Sequence, residues 1–414
     1  MSTHSRAGDN QRLAARILFA ETLRYNRTLS GGLMSMLTSD ASSVVKSTKQ
    51  KAQSNSGAPH VIIRDLTKTH GDWVSTDLIH ELWQTPTMGD RYLEGREEKL
   101  TRDSFDIMID QGRHAVDMGG KMTQQRRGYE LLELGKKALG TYYAKLQAER
   151  MLFHLAGARG KYIASDVILP LDTPTSDLPS FLVNDLEPPT FNRMFYAGNA
   201  DSIDGTTGNA ITPADVFDRP SLDNLSASLQ EMPHPPRAID LSTREKPMDT
   251  EPFYIFLVTP RMWQTFKQTS LGFDELVANA TRRAKGYNHH LFKGDCFMLD
   301  NILVKKYHLP IRFNQQSTMM VSNDDNSATT HAEVVPQGVT VDRGMLLGAC
   351  AVATAYGQIN KYGSFAMQTD KRDYKNKKFA AIEWMDGSRK IRFRDKTGRI
   401  EDYGVICMDA AVQA

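Results

Sequence analysis

The chain has 414 residues, 40% apolar and 24% charged, values near globular averages that exclude a wholly disordered or fibrous protein and allow two or three domains. Its 51 basic and 49 acidic residues leave a net charge of +2, far from the basic excess of a protein that grips nucleic acid through many phosphates. Three widely spaced cysteines, Cys296, Cys350 and Cys407, form no CxxC pair and suit a reducing compartment, and no apolar run is long enough to cross a bilayer.

Gln11 to Leu23 has an amphipathic helical pattern interleaved with Arg12, Arg16 and Glu21, unlike the apolar core of a secretion signal. The Ser, Lys, Thr and Gly-rich stretch Ser39 to Gly57 cannot bury enough apolar surface to fold alone and suits an arm ordered by contact with something else. Truncating residues 1 to 57 is therefore expected to leave a soluble subunit that associates poorly with its neighbours. His60 to Leu66 reads as extended, and the sequence through Gly89 as loop. Phe105, Ile107 and Ile109 then recur at every second residue, and Arg113 to Met118 continues extended beyond Gln111-Gly112. Alternation around a Gly-containing turn predicts a hairpin, which is marginal alone in water and needs a neighbour to lie against.

Thr123 to Leu155 carries the strongest helical signal, through Leu132, Leu139, Tyr143, Leu146 and Phe153, with Gly157 placed to end it. A helix of that length spans about 50 Å, and Gly135 and Gly140 are positions for a bend. Thr212 to Met232 predicts another helix, with Pro213 in its first turn. Phe253 to Val258 is a continuous apolar run typical of a strand buried on both faces, ended by Pro260. Arg261 to Gln268 and Phe273 to Arg283 read as short helices, Cys296 to His308 as one or two strands, and Asn314 to Asn326 as loop. Met345 to Tyr356 reads as a buried core element. Asp386-Gly387 between Ala380 to Met385 and Lys390 to Phe393 is a strong hairpin signal, and Tyr403 to Met408 closes the chain as a strand.

Motifs for chemistry are incomplete. Gly119-Gly120-Lys121 lacks a phosphate loop's first glycine, since position 115 is Ala, and Met122 stands where the hydroxyl belongs. His289, His290, Cys296 and His308 match no zinc spacing, and there is no GxSxG elbow. No catalytic, cofactor or metal residue is assigned. A long helix, a bare projection and an arm-like N-terminus instead expose surface that neighbours bury, as in a self-assembling subunit.

Four consecutive segments carry a family resemblance. They are Leu93-Glu94-Gly95-Arg96-Glu97-Glu98, Ile109 to Val116, Gly120-Lys121-Met122-Thr123-Gln124-Gln125-Arg126, and Leu155-Ala156-Gly157-Ala158-Arg159-Gly160. Weaker similarity continues through Val258 to Arg261, His290 to Gly294, Leu346 to Cys350 and Tyr403 to Ile406. Together these resemble the major capsid proteins of short-tailed phages related to the coliphage that carries its own virion RNA polymerase. Arg96 departs from the pattern, as do the proline-rich loops between about 165 and 250.

The resemblance implies an α+β fold, the tailed-phage and herpesvirus major capsid fold of the Hong Kong ninety-seven type. On that pattern residues 1–75 form an N-terminal arm, 76–120 an extended loop, 121–230 a peripheral domain with a long spine helix, 231–340 an axial domain, and 341–414 return to the peripheral domain. It implies no enzyme activity and no cofactor. Partners are copies of the chain in hexamers and pentamers, a portal protein, scaffolding and decoration proteins, and double-stranded DNA against the inner surface, with no membrane. The virion is the expected location. Across the subunit contact, Glu94, Glu97 and Glu98 are expected to pair with Arg113, Lys121, Arg126 or Arg127, with Gln124 and Gln125 beside them. Alternatives are an encapsulin-like nanocompartment shell with this fold, an uncharacterised hydrolase, and a nonspecific DNA-binding protein that the balanced charge disfavours.

Overall fold

The computed structural model describes Leu37 and residues 57–63, 71–79, 82, 84–99, 102–126, 131–162, 167–169, 181–239, 253–270, 272–278, 280, 296–322, 330–359, 364–394 and 398–412. The helical pattern at 11–23, the polar stretch 39–56, Arg127, His289 and His290 lie outside the described residues.

The first strands are β1 (His60–Ile63), β2 (Trp73–Ile79), β3 (Arg102–Met108) and β4 (Asp110–Gly120), followed by helices α1 (Lys121–Arg126) and α2 (Leu131–Ala156). Next come β5 (Met194–Tyr196), α3 (Arg219–Glu231), β6 (Tyr254–Val258), α4 (Pro260–Thr269), β7 (Cys296–Leu299) and β8 (Ile302–Lys306). Strands follow among the described residues: β9 (Arg312–Phe313), β10 (Thr318–Ser322), β11 (Thr330–Val334), β12 (Thr340–Leu347), β13 (Val352–Tyr356) and β14 (Phe365–Arg372). The chain closes through β15 (Lys377–Lys390), β16 (Arg392–Arg394), β17 (Ile400–Asp402) and β18 (Val405–Val412).

A seven-stranded mixed sheet, ordered β5-β18-β12-β6-β8-β7 with β9 also on β12, forms the centre. Its middle strand β6 is apolar throughout because both faces are covered. Ile255 and Leu257 enter the core beneath α2, whereas Tyr254, Phe256 and Val258 pack with Leu222, Leu225, Met262 and Phe266 of α3 and α4. Thr259 caps α4 by accepting the Met262 N–H at 3.3 Å, and Pro260 both ends the strand and starts the helix. A second sheet, β1-β13-β15-β14 with β4 on the other edge of β15, lies against α2. The ends of α2 and β15 are joined through Asp386, which accepts from Arg150 at 2.8 Å and from Tyr143 Oη at 3.0 Å.

Several sequence expectations are corrected. Gln111-Gly112 is no turn: β3 pairs with β2, and β4 pairs with β15. Gly112 is needed inside a strand, since a Cβ there would lie 2.2 Å from the Trp384 ring. Asp386-Gly387 likewise makes no hairpin, because β15 runs through it with Asp386 buried and Gly387 pressed against the Met108 carbonyl. The predicted loops contain β2 and β10, and Met345 to Tyr356 divides into β12 and β13 of different sheets.

The helical signal read from Thr123 is met by two described helices, α1 starting at Lys121 and α2 with 26 residues, about 39 Å. Gly157 ends it at φ 64 as expected. Helix α3 starts at Arg219 under an Asp218 cap, with Pro220 and not Pro213 in its first turn. Upstream, Asp215 accepts from Thr212 N–H and Oγ1, and its own carbonyl accepts from Ala411 N–H of β18, so this backbone is engaged elsewhere.

Candidate assembly interface

Strands β2 and β3 form an antiparallel ribbon in full register from Trp73↔Met108 to Ile79↔Arg102, and residues 80–101 join their far ends. At the root, Val74, Phe105, Ile107 and Ile109 pack with Val61, Ile63, Ala353, Ala355 and Ile391 in a small core. Farther out the inward face ends, and apolar side chains meet solvent. Leu82 is 65% exposed, Met88 71%, Tyr92 86% and Leu93 61%. Four large apolar groups on one projection form a surface that water disfavours and that another molecule can cover.

The predicted acids sit on this tip. Glu94 and Gly95 make its turn, with Gly95 at φ 83 and the Arg96 N–H donating to the Leu93 carbonyl at 2.9 Å. Glu97 accepts the Gly95 N–H at 2.9 Å, and Glu98 accepts the Gln84 N–H at 2.8 Å, tying the two sides of the tip together. These two carboxylates thus shape the tip as well as charge it. Glu94 is exposed and forms no ion pair among the described residues.

The predicted bases lie elsewhere. Arg113 is exposed on β4 opposite Glu383, and Lys121, Gln125 and Arg126 are exposed on α1, with Gln124 half-buried. Arg113 and Lys121 form no ion pair among the described residues, so the subunit itself does not join them to Glu94. Met122, also on α1, is exposed. Sequence reasoning singled out the charges and missed Leu82, Met88, Tyr92 and Leu93. A signal existed, since these apolar residues recur without strand or helix period, Leu82 and Met88 in the stretch read as loop and Tyr92 and Leu93 just after it.

The scaffold behind the ribbon is fixed by buried ion pairs. Arg343 meets Asp409 through two 2.8 Å bonds and donates a third to Ala156 C=O at the end of α2. Arg312 meets Asp342 at 2.6 and 2.8 Å. Asp402 accepts from Lys390 at 2.8 Å and Arg392 at 2.6 Å. Burial alone would raise the Asp402 pKa, but the Arg392 and Lys390 charges hold it below the usual carboxylate value. These pairs join strand to strand, and Arg343 also ties β12 to the end of α2. Among the described residues, no group of His, Cys, Asp and Glu is placed to hold a metal ion.

Comparison with known proteins gives a consistent result. The family described as phage capsid protein matches residues 3–414. No curated protein sequence matches the chain. Among solved structures, the capsid of Ralstonia phage GP4 superposes with a TM-score of 0.69 at 25% identity, covering 87% of this chain and 89% of that one. The cyanophage Pam1 capsid asymmetric unit gives 0.57 at 14% identity, covering 86% and 89%. The head structure of Helicobacter pylori bacteriophage KHP40 gives 0.57 at 14% identity, covering 87% and 88%. The last two show a shared fold.

Proposed function

The chain belongs to the phage capsid protein family and is a structural, non-enzymatic protein, and from that premise we propose that its copies close into an icosahedral head as hexamers and pentamers. It is a major capsid protein that associates with itself into capsomers and resides in the virion. The family and the similar structures are phage capsids, so neither a cellular nanocompartment nor a hydrolase is favoured.

The observation that carries the assembly reading is the projecting ribbon, with Leu82, Met88, Tyr92 and Leu93 exposed at its tip. In the proposed shell each ribbon lies over the adjoining subunit, where Glu94, Glu97 and Glu98 face Arg113, Lys121, Arg126 or Arg127, with Gln124 and Gln125 at the contact. Exposed pairs contribute about 0–1 kcal/mol each, so the tip's apolar groups supply most of the attraction and the charges set register. Repetition of a weak contact around a closed shell multiplies its effect.

The working assignment keeps residues 1–75 as N-terminal arm, 76–120 as extended loop, 121–230 and 341–414 as peripheral domain and 231–340 as axial domain. The position of the ribbon and of α2 along the chain supports that division. The head is proposed to assemble in the bacterial cytoplasm with a portal protein and with scaffolding or decoration proteins. It would enclose double-stranded DNA, which a near-neutral wall tolerates without wrapping. Size-exclusion chromatography and negative-stain electron microscopy of the purified chain, with and without co-expressed neighbouring phage genes, test the reading. Closed shells, tubes or capsomer rings are expected, and a monodisperse monomer under every condition overturns it.

A further inference from the structure

The root of the ribbon is built around a single residue, Met108, at the end of β3. Asn184 is buried, and its side-chain carbonyl accepts the Met108 N–H at 3.0 Å. Its amide nitrogen donates to Met108 C=O at 3.0 Å and to Ser388 C=O at 3.1 Å. One side chain therefore satisfies both backbone groups of Met108 and ties them to β15, in the manner of one rung of a sheet ladder. Beside Asn184, Gly387 comes so close that a Cβ there would stand 1.9 Å from the Met108 oxygen and 3.2 Å from the Asn184 amide nitrogen, and any side chain would push the ribbon away. The Ile109 N–H donates to Asp72 C=O at 2.9 Å and closes the root of the ribbon.

Two further features single out Asn184. Val183, directly before it, is held at φ 74, a conformation that a β-branched residue adopts only under constraint and that concentrates where geometry matters. The ribbon's outer contacts with the body are more accessible to water. Arg389 donates to Asp106 C=O at 2.7 Å, and the Arg394 N–H to Asp103 at 2.5 Å, both at exposed positions where solvent competes.

We propose that Asn184 is a positioning residue for shell assembly: its amide latches the root of the ribbon and sets the direction in which the tip reaches the adjoining copy. The inference rests on the capsid reading given above. Leverage makes direction consequential. A rotation of about 10° at Met108 moves the far end of this seven-residue strand, about 23 Å away, by about 4 Å. That exceeds the tolerance of any hydrogen bond at the tip. Repeated in every copy, the error changes the angle between subunits, and closure into one size is lost.

Asn184→Ala removes all three bonds. Asn184→Asp keeps an acceptor for the Met108 N–H but turns a negative charge on two carbonyls until it is protonated, which burial brings toward neutral pH. Particle diameters by negative-stain microscopy, and amide hydrogen exchange at Met108 in the unassembled subunit, are measured beside the wild-type protein at pH 8 and pH 5. The latch predicts exchange on the order of tenfold faster at Met108 in Asn184→Ala. It also predicts mixed diameters or open tubes, with Asn184→Asp closer to wild type at pH 5 than at pH 8. Wild-type protein that never forms shells overturns the capsid reading and the latch with it. Wild-type shells accompanied by variant shells of one wild-type diameter overturn the latch alone. Should neither variant fold, exchange in the wild-type subunit decides: slower exchange at Met108 than at the other ladder amides of β3 supports the latch, and equal or faster exchange overturns it.

Discussion

Arg343 is wholly buried, and its charge is sustained by Asp409 and by the carbonyl that ends α2. Arg343→Met should destabilise the unassembled subunit by about 3–5 kcal/mol, because Asp409 is left charged and unpaired. Urea denaturation checks this, and Arg343→Met with Asp409→Leu should recover most of the loss. His60 illustrates the opposite case. Buried against Thr354 Oγ1 at 2.8 Å, it is pushed by burial down to about pKa 4, and burial takes His154 down to about 3. An unfolded chain takes up these protons near pH 6.5 while the native state refuses them, so stability is lost as pH falls from about 6.5 toward 4. His60 accounts for about 3 kcal/mol of that loss by pH 4. His60→Gln should flatten the dependence by that amount in urea midpoints taken between pH 7 and pH 4, and an unchanged slope would show that His60 accepts a proton freely.

At the scale of elements, the ribbon separates the energetics of folding from those of assembly. Tyr92 and Leu93 touch water in the subunit, so Tyr92→Ser with Leu93→Ser should change its stability by no more than about 0.5 kcal/mol. The same pair should abolish or sharply reduce particles seen by microscopy, and normal yield would remove the tip from the interface. Reversing Glu97 and Glu98 to lysine should also impair assembly while leaving the subunit soluble. Gln at both positions keeps acceptors for Gly95 and Gln84 and removes only charge, so comparison of the two double variants divides tip shape from pairing across the contact. Local signals located β3, β4, β6, α4 and β18 because each is an apolar pattern of the right period. They failed at Gln111-Gly112 and Asp386-Gly387, where the glycines answer to Trp384 and Met108, side chain and carbonyl brought in from far along the chain.

For the whole molecule, Leu37 is the informative outlier of the N-terminal region: it is buried in the main core alongside residues of α2 and β12. Truncating residues 1–57 therefore removes a core side chain. A subunit lacking 1–57 should lose about 2–5 kcal/mol in urea denaturation, the scale of a Leu→Ala change in a core. By itself the sequence determined the class of the protein: composition and missing catalytic motifs pointed to a self-assembling subunit, and the four segments from Leu93 to Gly160 carried its resemblance to phage capsid proteins, because these depend on residue identity alone. Only the tertiary structure decided which strands pair, that the tip presents apolar groups beside its acids, and that Asn184 holds Met108. Asn184 and Met108 stand 76 positions apart and β1 pairs with β13 across 292, and no local period or turn signal encodes the partner of a strand or the neighbour of a glycine.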